Sequence, residues 1–345
     1  MIIRTIRPDE QDLYNQLASH PLQTWEWGEF RRQMGQEVER LGIYDDNGQL
    51  TSVCQILFSK LPVGNYQVGY IPRGVMPTSE LIAALGDLAK KNNTIFFKLE
   101  PNVFVPAEEV DQQQQLEQEM LDLDLKSGKE IFTPYTFQLD LSADTDEIFQ
   151  NCKSKTRYNI RLARRKGVKI YEDTSDQGLT DYIKLLQETT TRQQFYAHNE
   201  KYYQTMFKQF AGSQKLKILK AVYEEKILAV WILFIHNQVA YYPYGASSRE
   251  HREVMASNLM MWEAIMLAKK QGCAKFDMWG ALGPKPDPKH RWYGFHRFKE
   301  GYGAKLMQSS GSYDYVTNYP LYSLFNLANS LRWVWLRFRA KLIRA

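Results

Sequence analysis

Residues 216–247 read LKILKAVYEEKILAVWILFIHNQVAYYPYGAS. LKILKAVY (216–223) and ILAVWILFI (227–235) are short, apolar and rich in β-branched and aromatic residues, so they predict a hairpin, and VAYYPYGAS (239–247) predicts a further strand. A helix pattern follows from Glu253 to Gln271, stopped by Gly272, and then a strand, AKFDMWG (274–280). The first half of the chain repeats this order. GIYDDNG (42–48) and LTSVCQILF (50–58) predict a hairpin about Asn47-Gly48, YQVGYIPRG (66–74) a strand, Ser79 to Lys91 a helix, and IFFKLEP (95–101) a strand. The landmarks Ile71-Pro72-Arg73-Gly74 and Tyr242-Pro243-Tyr244-Gly245 lie 171 residues apart. Helical segments precede each set, 9–18 and 25–34 in the first, 176–188 and 199–211 in the second.

Helices, an antiparallel meander, a helix and a closing strand is the element order of the GNAT acyltransferase fold. The expected class is therefore α+β, a tandem duplication of GNAT-like domains with mixed sheets flanked by helices. Two unrelated α+β units with a common order are the alternative. The first domain is set at 1–142 and the second at 143–318, with a helix over 319–345 packing back on the first. Residues 102–130 predict a polar helix and loop, their glutamines a solvated face.

Composition narrows the class. With 345 residues, 44% hydrophobic and 24% charged, the chain can build two cores and is not disordered. Cys54, Cys152 and Cys273 form no CxxC pair, which fits a reducing cytoplasm. The start, MIIRTIRPDEQDL, has no apolar stretch, and no run of about 18 apolar residues occurs. Neither export by a cleaved signal nor a membrane span is expected.

The net charge of +5 is unevenly spread. Residues 153–169, KSKTRYNIRLARRKGVK, hold eight cations and no acid, and as a helix they place Lys153, Arg157, Arg161, Arg164 and Arg165 within an arc of about 120°. Such a stripe suits a phosphate backbone, with a solvated face as the plainer reading. Asp314 is the last acid before LRWVWLRFRAKLIRA, whose Trp333, Trp335, Leu336 and Phe338 among Arg332, Arg337, Arg339, Lys341 and Arg344 suit anionic lipid headgroups or, equally, a packing helix.

The decapeptide from Gly294 to Gly303, after the proline-rich Pro284 to Arg291, puts Phe298 and Lys299 between glycines. Glycines admit close approach of a ligand and an ammonium stabilises a developing oxyanion, whereas spacing alone also fits a tight loop with a surface lysine. The six histidines form no HxxxH or HExxH pair, so no metal is expected, and no GxSxG elbow or GxxxxGKS loop occurs. Where a GNAT enzyme seats the CoA pyrophosphate on a glycine-rich turn, this chain has Arg249-Glu250-His251-Arg252-Glu253-Val254, which disfavours acetyl-CoA. Tyr241, Tyr242, Tyr244 and Trp279 at strand ends fit either core or ligand contact.

Six blocks together resemble the Fem family of peptidoglycan interpeptide-bridge aminoacyltransferases over nearly the whole chain. They are Gln23 to Arg31 (QTWEWGEFR), Pro72-Arg73-Gly74, Lys155 to Ala163 (KTRYNIRLA), Tyr242 to Ser247 (YPYGAS), Phe276 to Gly280 (FDMWG) and Phe298-Lys299-Glu300-Gly301. The resemblance implies tandem GNAT-like domains and aminoacyl-tRNA as donor. The acceptor would be a peptidoglycan precursor, lipid II or UDP-MurNAc-pentapeptide, with no cofactor, metal or protein nucleophile. It implies that Phe298 and Lys299 meet the tRNA 3′ end and stabilise the oxyanion. Arg31, Glu100, Tyr203 and Tyr244 would line the precursor site, with Arg31 and Arg73 near its diphosphate. Lys153, Arg157, Arg161, Arg164 and Arg165 would contact tRNA, and the enzyme would work in the cytoplasm with peripheral contact at the inner membrane face. Asn199 departs from the pattern, since a basic residue is expected there. No heptad insertion lies between 198 and 216, as in the smaller FemX-like members. An acyl-CoA-dependent GNAT N-acyltransferase and a non-catalytic RNA-binding or membrane-peripheral scaffold are the competing readings.

Overall fold

The structure, a computed structural model, describes residues 2–62, 64–193 and 197–342, the side chains of 191–193, 333–334 and 336–342 excepted. Trp333, Leu336, Arg337, Phe338, Arg339 and Lys341 as side chains, and Arg344 altogether, lie outside the described residues.

The first half runs β1 (Ile2–Thr5), α1 (Gln11–Leu17), α2 (Trp25–Gln33), β2 (Glu37–Tyr44), β3 (Leu50–Lys60), β4 (Gln67–Gly74), α3 (Ser79–Asn92) and β5 (Thr94–Pro101). A joining stretch follows: β6 (Phe104–Pro106), α4 (Val110–Asp122), β7 (Lys126–Ser127), β8 (Tyr135–Asp140), α5 (Thr145–Asn151), α6 (Ser154–Lys166) and β9 (Lys169–Glu172). The second half runs α7 (Asp176–Gln193), α8 (Glu200–Phe210), β10 (Leu216–Tyr223), β11 (Lys226–His236), β12 (Val239–Ser247), α9 (Ala256–Lys270) and β13 (Lys275–Ala281). It closes with α10 (Tyr293–Glu300), β14 (Lys305–Ser309), β15 (Tyr313–Val316) and α11 (Tyr319–Leu342).

One sheet has the order β1-β2-β3-β4-β5-β15-β7 and the other β6-β14-β8-β13-β12-β11-β10-β9. All pairings are antiparallel except β4 with β5 and β12 with β13, and each parallel pair is bridged by one helix, α3 or α9. The α+β class with two mixed sheets is thus as expected. No single cut separates the sheets, however. β8 lies before residue 143 yet pairs with β13 in the second sheet, and β15 lies before 319 yet pairs with β5 in the first.

Local chemistry explains the turns. Asp45 accepts from the N–H of Asn47 and Gln49 at 3.0 and 2.9 Å, and Gly48 has φ 76°, which turns β2 into β3. The β10–β11 and β11–β12 turns each put two residues at positive φ, Glu224-Glu225 and Asn237-Gln238. One boundary differs from expectation. Met255 at φ 56° splits the helix expected from Glu253, leaving a 3₁₀ turn at Arg252–Val254 and starting α9 at Ala256.

Period-2 alternation along β11 divides the second core. Ala229, Trp231 and Leu233 face α6 and α9, while Val230, Ile232 and Phe234 face α7 and α8. The α7–α8 face is also where the first half docks: Trp27 and Phe30 of α2 meet Phe234 and Tyr202 with ring centroids at 6.3 and 4.8 Å. A polar seam reinforces it. His236 Nε2 lies 2.7 Å from the Ala18 carbonyl, and Lys215 pairs with Glu26 at 2.7 Å.

The start of α11 packs on the first sheet through Leu321, Tyr322 and Phe325 against Ile95, Phe96 and Val316, and Tyr322 donates to Asp314 at 2.9 Å. Among the described residues no helix is long and apolar enough to cross a membrane.

Candidate active site

The two parallel strand pairs differ in how far they hold together. β4 and β5 remain paired as far as Gly74 opposite Pro101, with register shifts at 67–69 and 72–74, so the first sheet is closed there. β12 and β13 pair only at Val239–Lys275, Ala240–Phe276 and Tyr241–Asp277, and beyond Tyr241 they part. The opening between them is in the second half alone.

Lys299 enters beside that opening. Its Nζ donates to the carbonyls of Gly280 and Trp279 at 2.8 and 3.1 Å, residues of β13 past its last pair with β12. The ammonium lies 4.0 Å from the Phe295 ring centroid and 5.9 Å from that of Tyr242. The residue is 1% exposed, and burial drives its pKa down to about 7, opposed by the charge of Asp277.

The reading of Gly294 to Gly303 as a tight loop with a surface lysine is corrected here: Tyr293–Glu300 is helix α10, and Lys299 is buried on its inner face. A Cβ on Gly294 would meet open space, whereas Gly301 and Gly303 are closely packed. A Cβ on Gly301 would fall 2.4 Å from Thr156 Oγ1, and one on Gly303, at φ 74°, 2.7 Å from the Asn151 carbonyl, so they seat α10 on α5 and α6. Phe298 is partly buried and packs against the second core, its ring 5.5 Å from Tyr302 and 6.4 Å from Trp231.

Trp279 carries the backbone strain of the site. Its φ of 62° is an unfavourable left-handed geometry for a bulky side chain. It is clamped from both ends. Asp277 Oδ1 accepts from the Trp279 N–H at 2.7 Å while Lys299 holds the carbonyl, and Asp277 is itself held by Thr136 Oγ1 at 2.6 Å and Gln138 Nε2 at 3.0 Å. The turned indole lies against His20 (5.5 Å), Phe132 (5.9 Å) and Tyr241 (6.3 Å).

Arg73 completes this junction between the halves. It is 8% exposed, with φ 49°, and its guanidinium lies between the rings of Phe104 and Phe132 at 4.8 and 5.0 Å. Among the described residues it makes no ion pair or side-chain hydrogen bond, and burial lowers its pKa against the pull of Glu100. Glu100 is committed elsewhere, accepting from the Tyr70 hydroxyl at 2.5 Å and the Ile131 N–H at 2.7 Å. Arg73, Asp277, Trp279, Phe104 and Phe132 line one narrow cleft.

The remaining expected residues gather at the α2–α8 seam. Tyr203 is buried, its ring 5.2 Å from Tyr182 and 5.5 Å from Tyr244, and the Tyr244 hydroxyl is 3.1 Å from that of Tyr202. Arg31 is half-buried, donates to Gln36 at 2.6 Å, and its charge helps burial to lower the His198 pKa. Asn199, where a base was expected, is the N-cap of α8, accepting from the Tyr202 N–H at 3.0 Å. Between it and β10 the chain makes only that helix.

The cationic stripe is real as a helix but not as continuous free charge. No acid lies within 153–169, yet the fold supplies two: Glu300 pairs with Lys153 at 2.6 Å and Glu263 with Arg164 at 2.8 Å. Arg157 donates to the carbonyls of Gln150 and Cys152. Arg161 and Arg165 are exposed, over the rings of Phe149 and Tyr158 at 5.1 and 5.9 Å, and with Lys155 and Lys166 make no ion pair among the described residues.

The FemAB family model matches two stretches of the chain, residues 9–227 and 213–330. The chain belongs to the FemAB family. A relative from Staphylococcus epidermidis, the lipid II:glycine glycyltransferase, is 24% identical over 89% of this chain and 91% of its own length. Among solved structures, FemX superposes with TM-score 0.81 at 21% identity, covering 94% of this chain and 99% of its own. A tandem GNAT protein from the clavulanic acid biosynthesis pathway gives 0.51 at 11% identity, covering 92% and 98%. This FemAB member therefore has the duplicated GNAT-like architecture that its repeated strand order predicts. Asp277, Thr136 and Tyr70 are the site residues that sequence reasoning missed. The available signal was an acid at 277 inside the otherwise apolar run FDMWG.

Proposed function

We propose that this FemAB protein is an aminoacyltransferase that moves an amino acid from aminoacyl-tRNA to the stem-peptide side-chain amine of a peptidoglycan precursor, lipid-linked or UDP-linked. The observation that carries the reading is Lys299, a water-excluded amine beside the one opening between parallel strands. The relative named as a lipid II:glycine glycyltransferase supports the acceptor class.

In this reading the acceptor amine attacks the ester carbonyl carbon, a C–N bond forms, and negative charge collects on the carbonyl oxygen. The C–O bond to the tRNA ribose then breaks, and the proton lost by the amine goes to the leaving ribose oxygen. An ammonium has three N–H groups, and Lys299 spends two on Trp279 and Gly280. Its third N–H is assigned to the oxyanion, where a dry site makes the interaction worth about 3 kcal/mol or more. Phe298 braces α10 so that Lys299 keeps its aim. Arg73 is assigned to an anionic group of the precursor, since a buried guanidinium without a carboxylate contact is otherwise costly. Arg31, Glu100, Tyr203 and Tyr244 are assigned to the precursor site, with Arg31 the second cation for its diphosphate. On α6, Arg161 and Arg165 are assigned the main tRNA contact, and Lys153, Arg157 and Arg164 a weaker one because partners already hold them.

The test is transfer of a labelled amino acid from a panel of charged tRNAs to lipid II and to UDP-MurNAc-pentapeptide. Lys299→Ala is expected to lower transfer at least about tenfold. Failure with every charged tRNA, together with micromolar acetyl-CoA binding by calorimetry, would replace this reading by an acyl-CoA-dependent one.

A further inference from the structure

Helix α11 is apolar on the side turned away from the protein. Fifteen large apolar side chains stand exposed among the described residues, and five are on this one helix: Tyr319, Leu324, Leu327, Leu331 and Trp335. The exposures of Leu324, Leu327, Leu331 and Trp335 are 60%, 58%, 61% and 56%. At 100° per residue these four fall within an arc of about 80°, a stripe about 16 Å long. Leu321, Tyr322 and Phe325, which bind the helix to the first sheet, lie on a different side. Leu324, Leu327 and Leu331 are thus left exposed after the helix has docked.

Charge selects what covers it. Residues 315–345 contain Arg332, Arg337, Arg339, Lys341 and Arg344 and no acid, so their +5 equals the net charge of the whole chain. A second copy of this helix would bring the same five cations against them, which disfavours self-association. Exposed apolar side chains in a stretch whose sequence carries cations and no acid match a surface with a hydrocarbon layer beneath negative charge.

We propose that α11 is a membrane-docking helix that lies in the headgroup region of a bilayer containing anionic phospholipid. Leu324, Leu327 and Leu331 enter the acyl boundary, Trp335 sits at the interface, and the net positive charge carried by the sequence after Asp314 draws the helix to lipid phosphates. The helix root remains fixed to β5 and β15, so docking holds the body of the protein at the membrane face rather than tethering it loosely. This reading concerns binding alone and stands or falls without any transfer reaction.

The full chain is sedimented with vesicles of phosphatidylcholine alone, or with about a third of the lipid replaced by phosphatidylglycerol. Binding to the anionic vesicles is expected to exceed that to the neutral ones at least about tenfold, and to weaken as salt rises. Leu324→Ser/Leu327→Ser/Leu331→Ser should lower anionic binding at least about tenfold with unchanged thermal stability, since all three are exposed in the fold. Hydrogen exchange of the unmutated chain gives an independent reading: amides of 319–335 should slow on adding anionic vesicles. Unchanged exchange, binding indifferent to lipid charge, a triple variant that binds like the parent, or dimerisation through this face without vesicle binding would each overturn the proposal.

Discussion

Replacing Lys299 by methionine tests the electrostatics of the site without any assay of transfer. Methionine keeps an unbranched chain of similar length and removes the charge. Folding places the lysine where its pKa is about 7, against 10.5 for a free side chain. The folded state therefore binds fewer protons than the unfolded one between these values, and stability rises with pH across that window. The cost of holding Lys299 buried is fully present below about pH 7 and relieved toward pH 10.5. Between about pH 6.5 and 9.5 the relief is about 3 kcal/mol, and Lys299→Met has no such term. The variant should compare best with the parent at the acid end, where it escapes the cost of a buried charge. It should lose ground by about 3 kcal/mol at the alkaline end, where only its lost hydrogen bonds to the Trp279 and Gly280 carbonyls remain. Urea unfolding of both proteins at matched pH reads this difference directly. A stability gap constant to within about 0.5 kcal/mol over the window would show that Lys299 titrates as an ordinary lysine, and the argument from burial would fail.

Three further outcomes are expected. Asp277→Asn removes the charge that props up the Lys299 pKa, so the alkaline limb of transfer, set by loss of the Lys299 proton near pH 7, should move to lower pH. Denaturant unfolding should also show a loss of about 1–3 kcal/mol, as the Trp279 N–H is left with a weaker acceptor. Gly301→Ala sets a Cβ 2.4 Å from Thr156 Oγ1 and should destabilise by about 1–3 kcal/mol, much of it recovered in the double variant with Thr156→Ala, as a double-mutant cycle would show. Arg161→Ala/Arg165→Ala should weaken tRNA binding and flatten its salt dependence by about one to two counterions, measured by filter binding. Lys153→Ala/Arg164→Ala should do less, because Glu300 and Glu263 already neutralise those side chains.

Much of the architecture was legible because strand patterning is local. Residues 239–247 were read as a strand and are β12, and 216–223 are β10, since β-branched and aromatic runs between polar turns leave little alternative. The helical, buried character of the Gly294–Gly303 segment was not legible, for a physical reason. Glycines at 301 and 303 look the same in sequence whether a ligand or another helix approaches them, and only the positions of Thr156 and Asn151 distinguish the cases. The partners of the α6 stripe were hidden similarly, because its neutralising acids lie 99 positions away in one case and 147 in the other.

By itself the chain's sequence determined the hairpin, strand, helix and strand order over 42–101 and again over 216–280, and the cationic character of 153–169 and of the stretch after Asp314, all of which are encoded by neighbours within a few residues. Only the tertiary structure decided that Lys299 is buried and depressed in pKa, that Asp277 and Lys299 clamp Trp279 in a strained turn, and that Arg73 meets two aromatic rings instead of a carboxylate. Burial, proton affinity and charge compensation are properties of what surrounds a side chain in space, and strands from both ends of the chain supply those surroundings.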